Sequence, residues 1–186
     1  MNALEIMVSE HANIKRMLKI VRKYCYKVLK NEALDYNDFY KIIDFVRNYA
    51  DKHHHSKEEN ILFDILSNQF GEKIKNGPIM GMLVEHDLGR LYMTNLENAL
   101  KRLEAGKEDA KLDIIANSIS YTDLLTRHID REDTALYKFA ERSLSEENVK
   151  MLNEKSEEVE KNAALNNIQD KYLKLINELE RKLDAI

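Results

Sequence analysis

The chain has 186 residues, of which 44% are hydrophobic and 33% charged, and a net charge of −4. That length suits one domain with a sizeable core, and the interspersed charges form no concentrated basic face, which argues against nucleic-acid binding. No apolar stretch approaches the roughly 20 residues needed to span a membrane, and with one Pro, five Gly and no alternating β-branched run the expected class is all-α.

The start of the chain, Met1 to Val8, contains Glu5 and lacks a basic stretch before an apolar block, so no secretory signal is expected. A first helix is expected from about Leu4 to Lys30, with Met7, His11, Ile14, Leu18, Val21, Cys25 and Val28 on one face. Cys25 stands four turns beyond His11, roughly 21 Å along the axis, and reads as a core residue. It is the sole cysteine, so no internal disulfide forms and a cytoplasmic location is the default expectation. A polar turn, Asn31 to Asn37, leads to a second helix reaching about Gln69, with Ile43, Val46, Ala50, His54, Glu58, Ile61 and Ile65 inward.

Gly71 and the pair Gly77-Pro78 bracket the clearest break in the chain. A third helix is expected over about Ile79 to Ala105, ended by Gly106. A fourth follows, from about Ala110 to Leu144, with Ile114, Tyr121, Leu125, His128, Glu132, Ala135 and Phe139 on one face. Ser145 opens Ser-Glu-Glu-Asn, an N-cap for a short fifth helix ending near Asn162. The acidic run Glu157-Glu158-Val159-Glu160 reads as a solvated face. A last amphipathic segment, Leu165 to Leu183, carries Ile168, Tyr172, Leu175, Leu179 and Leu183. The expected architecture is an up-down-up-down four-helix bundle over residues 1–144. The short fifth helix and the C-terminal helix, residues 145–186, are too short to build a core alone and are expected to pack on the bundle as a cover.

A duplication of ligand-type residues stands out. Glu10-His11 opens the first helix and Glu85-His86 lies early in the third, while His54 with Glu58 and His128 with Glu132 are i, i+4 pairs on the second and fourth. The separation from His11 to His54 is within one residue of that from His86 to His128. In each hairpin the two legs are roughly 27 Å long at 1.5 Å per residue, so both histidines of a hairpin end at one height. Packing the hairpins together gathers four imidazoles and two carboxylates at one level of a bundle core, which is how helical bundles build metal sites. Residues four apart share a helix face, so each His and Glu can reach one metal, or the Glu can bridge to a second. Imidazole and carboxylate without thiolate suit iron or manganese better than structural zinc.

The segments Ser9-Glu10-His11, His54-His55-Ser56-Lys57-Glu58-Glu59-Asn60-Ile61-Leu62-Phe63, Gly77-Pro78 with Met82-Leu83-Val84-Glu85-His86-Asp87, and His128-Ile129-Asp130-Arg131-Glu132 resemble the hemerythrin-like family, the proteins with an HHE cation-binding domain. The likeness covers about residues 5 to 140. It implies two iron ions with an oxo or hydroxo bridge, one held by His11 and His54, the other by His86 and His128, with Glu58 and Glu132 bridging. Oxygen-carrying hemerythrins have a fifth histidine four residues from another on the third helix. Here those positions are Met82 and Arg90, which implies a more symmetric site of four histidines with an open position on each iron, there to take O₂, peroxide or nitric oxide, or to be filled by a protein side chain or water.

Neighbouring residues have quieter readings. His53 and His55 flank His54 at about ±100° around a regular helix and are expected at the surface or behind the ligands. Glu59 is expected to be solvated. Glu10 and Glu85 are candidates to hydrogen-bond a ligating imidazole from behind. Tyr121 is expected in the core as a neighbour of the site, and Gly89 either leaves room beside the metals or permits close helix packing. The leading expectation is a di-iron protein that binds or senses O₂. The alternatives are an enzyme reacting with nitric oxide or peroxide, in stress defence or iron–sulfur repair, and an iron-responsive interaction module.

Overall fold

The computed structural model describes residues 1–184, and among these the chain is all-helical, with no strand. Six helices follow one another: α1, Ala3–Leu29; α2, residues 37–70; α3, residues 72–104; α4, residues 110–143; α5, Glu146–Leu165; and α6, Ile168–Asp184. Asn2 starts α1 with a capping box: its side chain accepts the Glu5 N–H, and the Glu5 carboxylate accepts the Asn2 N–H, both at 2.9 Å. Ser145 caps α5 by accepting the Asn148 N–H at 3.2 Å.

The break between α2 and α3 is narrower than the sequence predicts. Gly71 alone interrupts the helical backbone, at φ 75°, a conformation that favours glycine. Gly77 and Pro78 lie inside α3, in a π-helical turn over Lys75–Ile79. Proline has no N–H to give to a regular turn, and the widened turn accommodates it near the helix start.

Three more π-helical stretches occur, at Val46–His55 and Glu58–Leu62 of α2 and at Glu132–Leu136 of α4. They include His54, Glu58 and Glu132, and π turns recur at functional sites.

Two apolar clusters flank the histidines. One holds Ile14, Phe39, Ile42, Phe45, Tyr49, Leu96, Leu125, Tyr172 and Ile176, with Cys25 buried as expected. The other holds Met7, Leu62, Leu66, Ile79, Leu136, Tyr137 and Leu152. His11 sits on α1 between Met7 of one and Ile14 of the other. Both C-terminal helices contribute: Leu152 of α5 to the second cluster, and Tyr172, Ile176 and Leu179 of α6 to the first. Polar contacts fasten them too. Arg16 donates to Glu180 at 2.6 and 3.0 Å, Lys182 to Asp38 at 2.7 Å, and the Ala3 N–H to Asn153 at 2.8 Å.

Candidate metal centre

All six ligand-type residues of the duplication meet in the interior, each at most 1% exposed. His11 of α1 and His54 of α2 point their Nε2 atoms at each other, 2.8 Å apart. His86 of α3 and His128 of α4 do the same at 2.9 Å. Each carboxylate spans the two pairs. Glu58 Oε2 lies 3.7 Å from His54 Nε2 and 3.6 Å from His86 Nε2. Glu132 lies 3.4 Å from His11 Nε2 through one oxygen and 3.1 Å from His128 Nε2 through the other. Tyr137 donates its hydroxyl to the remaining oxygen of Glu58.

Behind each ring stands another carboxylate. His54 Nδ1 donates to Glu10 at 2.7 Å and His128 Nδ1 to Glu85 at 2.8 Å. His11 Nδ1 donates to Asp133 and His86 Nδ1 to Glu59, both at 2.6 Å. These bonds leave a lone pair on every Nε2 and fix its direction. The pattern is duplicated: the acid before the first histidine of a hairpin serves the second histidine of that hairpin. The acid after the glutamate serves the other hairpin. Glu10 and Glu85 thus do hydrogen-bond imidazoles. Glu59, expected to be solvated, is two-thirds or more buried and shared between His86 and Arg90. Asp133 was not anticipated, although the tandem acids Glu58-Glu59 and Glu132-Asp133 were a signal for it.

Of the two places expected for His53 and His55, at the surface or behind the ligands, the surface is excluded. Each is 5% exposed. The ±100° argument assumes a regular α-helix. Val46–His55 is wound as a π-helix, whose i→i+5 bonds put more residues in each turn and so reduce the angle between neighbours. His55 consequently packs with the site, its ring stacked on His86 at 3.9 Å between centroids. His53 turns the other way and meets Glu10 through Nε2 at 2.9 Å.

Burial pushes His54, His55 and His86 down to about 4, with the neighbouring imidazole His11 adding to the effect at His54 and His55 adding to it at His86. At neutral pH these three rings are therefore uncharged donors. Burial opposes the charge of Glu132, but the adjoining His11 and His128 imidazoles outweigh it and hold that carboxyl below the usual range. Glu58 is pushed upward, first by burial and then by the charge of Glu132.

Such a cluster is costly by itself. Two pairs of nitrogen lone pairs face each other, and only a shared proton or a shared cation reconciles them. Glu58 Oε2 and both oxygens of Glu132 are buried without a hydrogen-bond partner. Unpaired polar burial costs several kcal/mol. Nitrogen and oxygen donors, with no thiolate among them, form two groups of close atoms that share Glu58: His11, His54, Glu58 and Glu132, and His55, Glu58, His86 and His128. The donor set therefore fits a pair of cations.

Two features surround this centre. A cavity of about 130 Å³ is lined by His55, His86, Gly89, Arg90, Met93 and Tyr121, among others. The Tyr121 hydroxyl is buried without a partner. A Cβ at Gly89 would stand 3.5 Å from the Tyr121 ring and 3.6 Å from Leu125, ordinary contact distances, so close packing does not demand glycine there. On the opposite side, Lys57 is 1% exposed and is ion-paired with Glu10 and with Glu160 of α5. Glu160 is therefore not part of a solvated face, unlike Glu157 and Glu158, which are exposed. Gln169 of α6 adds a hydrogen bond to Glu10 at 3.3 Å.

Buried imidazoles and carboxylates converging between helices define a metal-binding helical protein. Residues 2–140 match the hemerythrin HHE cation-binding domain, and the chain belongs to that family. No curated protein and no solved structure matches it. The match ends within α4, so α5 and α6, which supply Glu160 and Gln169, lie beyond it.

Proposed function

We propose that this chain is a non-haem di-iron protein that binds or senses O₂, built as an up-down-up-down four-helix bundle with α5 and α6 as its cover. The observation that carries this reading is the pair of facing imidazoles on each side, 2.8 and 2.9 Å apart, with Glu58 and Glu132 each reaching across both pairs. His11 and His54 would hold one ion, His86 and His128 the other, with the two carboxylates and an oxo or hydroxo group between them. An iron pair supplies reversible two-electron exchange with O₂, which a redox-inert ion does not.

The protein's own part is to keep the site dry and oriented. The carboxylates behind the rings hold the Nε2 lone pairs inward, and Tyr137 restrains one oxygen of Glu58. The cavity beside His86 has room for a diatomic molecule but not for a metabolite of ordinary size. Its size equally suits nitric oxide, which supports a second reading as an enzyme reducing nitric oxide or peroxide. With both readings we propose a cytoplasmic location and a small molecule, rather than a nucleic acid or a membrane, as the partner.

Metal analysis of protein purified without added metal, combined with anaerobic optical spectroscopy, tests the proposal. Two irons per chain and a visible spectrum that changes on adding O₂ and reverts on its removal are expected. One zinc per chain, or no metal, would sink the di-iron reading. Catalytic nitrous oxide production from nitric oxide would favour the second reading over the first.

A further inference from the structure

We propose that His55 is a fifth imidazole ligand, bound to the same metal as His86 and His128, so that the two metal positions are unequal. The assignment rests on the two-metal reading above and extends it to a residue outside the duplicated pattern.

Three observations carry it. First, one ligand atom from each of His55, Glu58, His86 and His128 lies within 4.8 Å of the others, whereas the group around His11 and His54 contains no third imidazole. Second, His55 is held as the other four rings are. Its Nδ1 faces a carboxylate, Asp51, at 3.3 Å, leaving Nε2 for a metal. Asp51 is itself fastened by Arg90, which donates to it at 2.7, 3.0 and 3.2 Å. His53 lacks this signature, because it spends Nε2 on Glu10. Third, the ring has no freedom to leave. It lies 9° from parallel to His86 and stands edge-on to His128 at 5.9 Å between centroids. Met82 and Arg90 occupy the places four residues either side of His86 where a histidine would restore five imidazoles. Arg90 instead holds Asp51, and through it the imidazole that comes from α2.

The alternative is that His55 merely fills space by stacking. His55→Phe keeps an aromatic ring and removes the donor, while His55→Ala removes both and enlarges the adjoining cavity enough to admit free imidazole. Each is loaded with ⁵⁷Fe and read by Mössbauer spectroscopy and iron content, with far-ultraviolet circular dichroism recording the helices. The wild type should give two distinct doublets of equal area. Both variants should lose that distinction or bind one of the two irons at least 10–100-fold more weakly, the range known for partners one shell further out. Added imidazole should restore the wild-type spectrum in His55→Ala but not in His55→Phe.

Wild-type doublets in both variants, or no restoration by imidazole in His55→Ala, overturn the assignment while leaving the iron pair intact. Fewer than two irons in the wild type overturns the assignment together with the di-iron reading.

Discussion

Lys57 is ion-paired with Glu160, and through this contact α5 reaches the centre of the protein. The same ammonium pairs with Glu10, whose other oxygen accepts from His54. A helix beyond the family match thus helps hold the carboxylate that orients a central imidazole. Gln169 of α6 joins the same group, donating to Glu10 and receiving the Tyr49 hydroxyl at 3.0 Å.

Replacing Lys57 by Ala removes one member of this buried set and leaves Glu10 with less compensation. Breaking a buried ion pair costs about 3–5 kcal/mol, and this loss is expected in chemical denaturation of the metal-free protein. Glu160→Gln, on the more exposed partner, should cost about 1 kcal/mol. Iron affinity should fall with Lys57→Ala, because His54 is less firmly held. Unchanged stability in Lys57→Ala would contradict the role assigned to the pair.

Tyr121 offers a separation of stability from binding. Its hydroxyl is buried without a partner, and burial pushes its ionisation far above the ordinary range. Tyr121→Phe should leave thermal stability unchanged or raise it by about 1 kcal/mol, since an unsatisfied polar group is removed. A fall in small-ligand affinity in the same variant, measured by optical titration, would show that the hydroxyl serves a guest in the cavity. Gly89→Leu should reduce the association rate by filling that cavity.

Acid should destabilise the metal-free protein through its neutral histidines. His54, His55 and His86 have folded values near 4, below the ordinary 6.5, so between those pH values the unfolded chain binds more protons. Their contribution is present above pH 6.5, is lost as pH falls towards 4, and changes no further below it. His11 and His128 are shifted upward by their carboxylate partners, against burial, and work in the opposite sense above 6.5. Denaturation midpoints across pH 4 to 7 should therefore decline towards acid. A flat profile would contradict the burial of these rings.

Metal removal should lower stability as well. A ligand present at 100 times its dissociation constant contributes about 2.7 kcal/mol. Chelation should reduce the melting temperature accordingly, and iron should restore it. His54→Ala should abolish the restoration, because the first pair of facing nitrogens is then gone.

Much of the site was legible in the primary structure because it is written twice at helical spacing. Separations of His11 from His54 and of His86 from His128 that agree within one residue, with a turn near the middle of each, bring each pair together in its antiparallel hairpin, and each i, i+4 glutamate follows on the same face. The carboxylates behind the rings were half legible. Glu10 and Glu85 precede histidines and were candidates, yet each serves a histidine of the neighbouring helix, which spacing alone does not specify. Glu59 and Asp133 act between the two hairpins, and no local pattern encodes how hairpins dock.

Helical class, the paired ligands and the apolar faces follow from periodicity, a local property that each segment carries by itself. The placement of His55, His53 and Lys57 does not. It depends on the π-wound turns of α2, which shift residues around the helix axis relative to a regular count, and on the carboxylates and helices that close over them. The exchange of Glu160 from an expected solvent face to a partner of Lys57 has the same cause: burial of a charge is decided by what packs against it, and that is a property of the assembled helices rather than of the residue's neighbours in the chain.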